Sequence, residues 1–179
     1  GDPRSTGYLT GRLEAYGEGG LRLAVRHAGR LDHGRDFYAP AVLQESGRAL
    51  MWGWSWEARD RDSAERAGWA GVLTAPRVVD ADPGDGSLRV APAPELDLLR
   101  AAEPFVTAPD RTALPEAYDL TVTAREGTTV SLLRSASGAE LTVRVDPAEG
   151  TVTLDRGGWP RTGAEGTAPV VVRVPPGAE

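Results

Sequence analysis

The feature that most constrains the fold is an aromatic-rich stretch, residues 30–57 (RLDHGRDFYAPAVLQESGRALMWGWSWE). In its second half Trp52, Trp54 and Trp56 alternate with other residues, after a turn-forming Glu-Ser-Gly at 45–47. Residues two apart in a strand share a face, so we predict a strand over 48–55 with the indoles on one side, unless Gly53 bends it. Such a face forms either a hydrophobic core, the commoner use of an aromatic stripe, or a platform on which sugar rings stack.

The composition argues against several classes of protein. The net charge is −6, and all 20 cationic residues are arginines that form no run, so we expect no nucleic-acid partner. Cysteine is absent, which excludes disulfides and thiolate metal sites and fits a cytoplasmic or a secreted bacterial protein alike. No apolar run reaches the length of a membrane span, and no signal peptide is evident, so we expect no membrane partner.

The rest of the first half has the pattern of short strands joined by turns. A Gly-Glu-Gly-Gly link at residues 17–20 predicts a hairpin. Residues 58–67 are polar and charged, which predicts a solvated surface loop or one helical turn. Strands are predicted over residues 8–16, 21–27, 69–79 (interrupted by Pro76) and 88–92.

The second half begins with the only good helical pattern in the sequence, residues 93–103, where Leu96 and Leu99 are spaced for one face. Beyond it, apolar residues alternate with polar ones, and the links have turn compositions. This pattern predicts an antiparallel meander with one buried face, as in a β-sandwich. The predicted strands cover residues 118–124, 129–134, 139–145, 151–156 and 168–174.

The sequence contains no recognisable catalytic, metal or cofactor motif. There is no glycine-rich phosphate loop and no Gly-x-Ser-x-Gly nucleophile elbow. His27 and His33 are separated by five residues with no helix between them, which makes a poor zinc site. The acidic turn at residues 80–87 lacks the later glutamate of an EF-hand and contains a proline. We therefore predict no cofactor and no metal site within the chain.

Three segments nevertheless resemble, in order, motifs of glycoside hydrolase family 32, the family of invertases, sucrose-6-phosphate hydrolases and levanases. Residues 31–40 (LDHGRDFYAP) are similar to its D-x-G-x-D-F-Y-A-P motif. Residues 47–54 (GRALMWGW) resemble its G-R-R-I-x-x-G-W strand. Residues 68–77 (GWAGVLTAPR) resemble its W-A-G-x-L-T-L-P-R segment, with Ala75 in place of the usual leucine.

The resemblance implies an all-β fold and a retaining β-fructosidase acting on sucrose or a related fructoside. Such an enzyme needs two carboxyl groups about 5 Å apart across the scissile bond. The family motifs that carry the nucleophile (W-M-N-D-P-N-G), the stabilising aspartate (R-D-P) and the acid (E-C) do not occur here. The chain thus resembles the C-terminal part of such an enzyme. The expected division is the last blades of a five-bladed β-propeller (1–90), a linker with a short helix (91–105) and a partial β-sandwich (106–179).

Carried over by residue, the resemblance places Asp36, Tyr38 and Trp54 in the fructose-binding pocket. Asp32 is expected to brace the loop, and three further tryptophans, Trp52, Trp56 and Trp69, to pack within the blade. The implied partners are a sucrose- or fructan-type sugar and the protein's own N-terminal propeller half, without which the chain is expected to be inactive. The alternative is a noncatalytic carbohydrate-binding or structural β module.

Overall fold

A computed structural model describes residues 6–34, 36–57, 59–101, 117–134, 136–157 and 169–174. About half of these residues lie in β-strands and the helices are few and short, so the predicted all-β class is confirmed. The described helices are too short to cross a membrane. The elements are β1 (Gly7–Tyr16), β2 (Gly20–Arg30), β3 (Phe37–Glu45), β4 (Arg48–Ser55), α1 (Arg61–Ala67), β5 (Val72–Leu73), β6 (Arg77–Ala81), β7 (Leu88–Pro92), a 3₁₀ helix (Pro94–Leu99), β8 (Thr128–Arg134), β9 (Glu140–Asp146), β10 (Thr151–Asp155) and β11 (Val170–Arg173).

Strands β1 and β2 form the predicted hairpin, and both are longer than the alternation indicated. Their antiparallel pairing shifts register between Thr10 and Gly11. The hairpin contacts the neighbouring sheet through a few polar groups. The Thr6 hydroxyl donates to the Phe37 carbonyl over 2.9 Å, and Arg26 donates to the Gly84 carbonyl over 2.5 Å. These bonds fix the hairpin beside the sheet that carries the aromatic stretch.

The second sheet has the strand order β3-β4-β6-β7, with β5 pairing the far end of β4. Ser46 (φ 50°) and Gly47 (φ 80°) form the tight turn between β3 and β4, because a two-residue hairpin turn of this kind needs positive φ at both positions. Pro76 separates β5 from β6, as predicted. The buried hydrophobic residues of the described chain all belong to this sheet and its exit: Phe37, Leu50, Met51 and Ala93.

The helices differ from the sequence-based predictions. A two-turn α-helix, α1, occupies the segment predicted as a surface loop or a single turn. Its N-cap is Asp60, whose carboxylate accepts from the Ser63 N–H over 2.7 Å, and Gly68 ends it in the left-handed conformation (φ 76°). The segment predicted as a helix over 93–103 forms only the 3₁₀ turn Pro94–Leu99, and residues 102 and 103 lie outside the described part. In both segments the capping residues, rather than the spacing of apolar residues, determined whether an α-helix forms.

The third sheet, in the order β11-β10-β9-β8, is the predicted antiparallel meander. The strand predicted over residues 118–124 is wrong, because these residues pair with no strand. An alternating pattern is not sufficient for a strand, which also needs a neighbouring strand to hydrogen-bond with. The expectation of a buried face also fails, because within the described residues no second sheet covers the apolar side. Its valines are only half-buried: Val130, Val143, Val145, Val152, Val170 and Val172. The domain boundaries at residues 90 and 105 stay predictions.

Candidate functional site

A β-bulge sets the geometry of the aromatic stretch. Tyr38 pairs with Trp54 and Ala41 pairs with Trp52, so β3 carries one more residue than β4 between the two pairs. Ala39, within the bulge, has φ 45°, a conformation that non-glycine residues adopt uncommonly. Bulges locally redirect side chains. Here Tyr38 and Trp54 lie opposite each other at the end of the strand pair.

Tyr38, Trp54 and Trp56 form a connected group of rings, which we call the aromatic cluster. The Tyr38 and Trp56 centroids are 5.1 Å apart in an edge-to-face arrangement, and those of Trp54 and Trp56 are 5.7 Å apart and tilted by 58°. Tyr38 is 40% exposed and Trp54 41% exposed. The backbone N–H of Trp56 donates to the backbone carbonyl of Asp36 over 2.9 Å. Of the three predicted binding residues, Tyr38 and Trp54 contact Trp56 through their rings, and Asp36 contacts it through its backbone carbonyl.

Behind the bulge, Phe37 anchors the sheet in the core. It is 4% exposed, and a side chain at Gly53 would overlap its ring. The guanidinium carbon of Arg77 lies 4.6 Å from the Phe37 ring centroid, and Arg77 Nη1 lies 2.6 Å from Asp32 Oδ2. The other carboxylate oxygen of Asp32 accepts from the Gly34 N–H over 2.5 Å. Asp32 therefore braces its loop against β6, as expected.

Glu57 lies at the centre of a polar network just beyond β4. Its carboxylate accepts from Arg59 Nε over 2.8 Å and from Arg59 Nη2 over 2.6 Å, and also from the backbone N–H groups of Arg59 (2.8 Å) and Gly71 (3.1 Å). Bonds to the charged form favour it. The Arg59 side chain, followed by the backbone N–H groups, lowers the pKa of Glu57 to about 2. Glu57 is therefore ionised at neutral pH.

Two features of the site were missed in the sequence. Trp56 was predicted to pack, and it does so as the ring that connects Tyr38 to Trp54, a position that the sequence did not indicate. Its position just past β4 follows from alternation, but the ring contacts depend on the bulge, which alternation does not show. Glu57 was not singled out, and only its place between Trp56 and Arg59 could have drawn attention to it. Trp69, expected to pack within the blade, is 55% exposed.

No group of three histidine, aspartate or glutamate side chains in the described part of the chain is arranged to hold a metal ion. Within the same residues, the two carboxylates fixed beside the aromatic stretch, Asp32 and Glu57, are each paired with an arginine. What the site offers is an exposed aromatic surface flanked by hydrogen-bonding groups, which suits the binding of a sugar ring.

Comparison with known proteins identifies the class as the glycoside hydrolases. The profile described as "Glycosyl hydrolases family 32 N-terminal domain" matches residues 1–92. The chain belongs to glycoside hydrolase family 32, which confirms the resemblance seen in the sequence.

Two curated relatives illustrate the match. A probable sucrose-6-phosphate hydrolase of Psychromonas ingrahamii is 32% identical over 160 residues, which is 86% of this chain and 28% of the relative. The insoluble isoenzyme 2 of β-fructofuranosidase from Oryza sativa subsp. indica is 31% identical over 125 residues, 68% of this chain and 21% of the relative. The chain thus spans between a fifth and a third of the length of these proteins.

Solved structures agree on the fold. A Bombyx mori GH32 β-fructofuranosidase matches with a TM-score of 0.59 at 22% identity, covering 97% of this chain and 36% of that one. A family 32 glycoside hydrolase from Bifidobacterium adolescentis matches with a TM-score of 0.55 at 17% identity, covering 85% of this chain and 25% of that one. The predicted architecture, the end of a β-propeller followed by part of a β-sandwich, is confirmed.

Proposed function

We propose that this chain carries part of the fructose-binding pocket of a retaining β-fructosidase that hydrolyses sucrose or a related fructoside. Asp36 would hydrogen-bond to sugar hydroxyls, while Tyr38 and Trp54 would form an apolar wall of the pocket. The named activities of the relatives, sucrose-6-phosphate hydrolase and β-fructofuranosidase, support this substrate class.

The observation that carries the proposal is the exposed aromatic cluster at the bulge. Large aromatic side chains are usually packed in a core, where their burial stabilises the fold. Here Tyr38 and Trp54 stay about two-fifths exposed, although Trp56 fixes both rings by direct contact. Rings that are ordered and yet accessible offer a preformed surface, so a sugar would bind without first ordering them.

We further propose that residues 1–179 alone do not hydrolyse fructosides. Retaining hydrolysis needs a free carboxylate as nucleophile and a second, protonated carboxyl group as acid. Asp32 is bound by Arg77 and by the Gly34 N–H. Glu57 is bound by Arg59, which holds its pKa near 2 and keeps it from serving as an acid at neutral pH. The three family motifs with the reacting carboxylates are absent from the sequence.

The proposed partner that supplies those carboxylates is the N-terminal half of the propeller. A propeller blade has four strands, whereas β1 and β2 form a sheet of two. The register places apolar residues on one face of this hairpin, and they are exposed by 37% to 71%: Leu9, Leu13, Leu21, Leu23 and Val25. The relatives are three to five times longer than the matched region, so in them such a face has further blade structure available to cover it.

The test is to express residues 1–179 alone and together with the polypeptide encoded upstream of residue 1. We expect no fructose release from sucrose, inulin or levan by the chain alone, and hydrolysis once the upstream polypeptide is present. In the active protein, Trp54→Ala should lower kcat/KM on the order of 10- to 100-fold, which corresponds to the loss of one positioned contact of about 1–3 kcal/mol.

Tyr118→Ala is the matched control, because Tyr118 is 38% exposed, much like Trp54, but lies outside the aromatic cluster. It should leave kcat/KM unchanged. Fructose release by the chain alone would disprove the proposal that the N-terminal half of the propeller supplies the reacting carboxylates. Sugar binding by the chain, without hydrolysis in any combination with the upstream polypeptide, would favour the noncatalytic carbohydrate-binding module instead.

A further inference from the structure

The indole of Trp54 rests directly on a short loop, residues 69–71, between α1 and β5. Gly71 has φ 63° in this loop. A Cβ atom built on Gly71 would lie 3.0 Å from Trp54 Cε2 and would overlap the indole Nε1. The approach is therefore closer than any side chain at position 71 would permit. The place of Trp54 at the surface depends on where this loop lies.

The loop is held by Glu57 and Arg59. Glu57 Oε2 accepts from the Gly71 N–H over 3.1 Å. Arg59 donates from Nη2 to the Trp69 carbonyl over 2.9 Å, and its guanidinium carbon lies 3.8 Å from the Trp69 ring centroid. Since Arg59 also binds both oxygens of Glu57, one ion pair fixes both ends of the loop. The side chains of Glu57 and Arg59 are 20% and 32% exposed, so water competes only partly for these bonds.

We propose that Glu57 is a positioning residue for sugar binding: it holds Gly71 against the indole of Trp54 and so fixes the apolar wall of the pocket. The inference rests on the proposed role of Trp54 in binding the sugar. Glu57 itself does not contact the sugar. It acts through a backbone N–H, so its effect on the sugar must pass through the position of Trp54.

The position of Trp54 can be observed in the 179-residue chain itself. The chain is labelled with 5-fluorotryptophan, and the ¹⁹F resonance of Trp54 is assigned by its loss in Trp54→Phe. We expect Gly71→Ala to shift or broaden that resonance, because the added methyl group overlaps the indole. Gly68→Ala is the matched control: Gly68 has φ 76°, and a Cβ there meets nothing within 4 Å. It imposes the same backbone strain without touching Trp54.

Glu57→Gln should shift the same resonance, because it removes the charge that binds Arg59. Glu65→Gln is its control, since Glu65 pairs with Arg61 on the exposed side of α1. In the hydrolytically active protein, Glu57→Gln should lower kcat/KM roughly tenfold. In a Trp54→Ala background it should have no further effect, because a residue that acts through Trp54 has nothing left to position. If Glu57 had a purely structural role, Glu57→Gln would lower kcat/KM by the same factor in both backgrounds.

The outcomes separate this inference from the function on which it rests. If the Trp54 resonance responds to Gly71→Ala and Gly68→Ala alike, or is unmoved by Glu57→Gln, the positioning role is overturned. It is also overturned if the losses from Glu57→Gln and Trp54→Ala multiply. If the resonance moves as expected but Trp54→Ala itself leaves kcat/KM unchanged, the substrate role of Trp54 fails while the link from Glu57 to Trp54 stands.

Discussion

The sheet β3-β4-β6-β7 and the sheet β11-β10-β9-β8 are both antiparallel and of similar size, yet they differ in what their apolar side chains contact. The first contains the buried residues Phe37, Leu50 and Met51. In the second, no described hydrophobic residue reaches that degree of burial, and Leu133 is 48% exposed. Strand pairing alone therefore does not make a core: a face is buried only where other side chains or another element pack on it.

The difference in burial between the two sheets also bears on where the candidate site lies. In the first sheet, the core on one side holds Phe37, and the bulge beside it presents Tyr38 and Trp54 to solvent. The exposed rings are thus carried by the best-packed part of the molecule, which is where a binding surface keeps its shape. The second sheet has an amphipathic pattern and no comparable support.

The largest expected difference between the sheets comes from removing one large apolar side chain from each sheet. Phe37→Ala should destabilise its sheet by about 3–5 kcal/mol, since it removes a buried ring and leaves a cavity. Leu133→Ala, in the half-exposed face of the other sheet, should cost no more than about 1 kcal/mol. In a Trp159→Phe background, urea unfolding followed by tryptophan fluorescence reports on the first sheet and its surroundings, where the other four tryptophans lie. Far-UV circular dichroism reports on both sheets.

Leu133→Ala should leave the fluorescence transition in place. Equal losses from the two substitutions would mean that the face of the second sheet is covered as well as that of the first, and the contrast drawn above would be wrong.

A smaller difference is expected from adding a methyl group. Gly53→Ala should destabilise by about 1–3 kcal/mol, because the new Cβ would overlap the Phe37 ring inside a packed core. At Gly127 a Cβ meets nothing within 4 Å. Gly127→Ala should be neutral or stabilise by up to about 1 kcal/mol, because alanine restricts the unfolded chain. Thermal unfolding of both variants beside the parent chain checks this, and a neutral Gly53→Ala would show that the ring of Phe37 can move aside.

The smallest expected effect is a dependence on pH in the network beside the first sheet. Arg59 lowers the pKa of Glu57 from its usual 4.5 to about 2. A carboxyl group whose pKa is lower in the folded state than in the unfolded state stabilises the fold at any pH above its unfolded-state pKa. This contribution is lost as the pH falls through the folded-state pKa. The Tm difference between the parent chain and Glu57→Gln should therefore be constant above about pH 5 and shrink toward pH 2.

The matching control is Arg59→Gln, which removes the main cause of the shift. In that background Glu57→Gln should change Tm less, and its effect should depend less on pH. A Tm difference that stays the same from pH 7 to pH 2 would show that Glu57 is not held by its bonds to Arg59.

Much of the chain could be predicted locally. The strand Arg48–Ser55, its preceding turn and the break at Pro76 follow from alternation, turn-forming residues and the missing N–H of proline. The family motifs also placed Asp36, Tyr38 and Trp54 near one another. The two errors in the helices arose where apolar spacing and end caps disagreed. Asp60 and Gly68 cap a real helix with little apolar spacing, while residues 94–99 have the spacing and form only a 3₁₀ turn.

The sequence by itself determined the all-β class, the family and the segment that carries the aromatic residues, because period, turn composition and motifs are all local properties. The tertiary structure decided which of those residues are buried and which are presented. Phe37 and Tyr38 are adjacent in sequence, yet one is 4% and the other 40% exposed. The tertiary structure also decided that Glu57 reaches Gly71 and that Gly71 lies against Trp54, because these contacts join residues that only folding brings within reach.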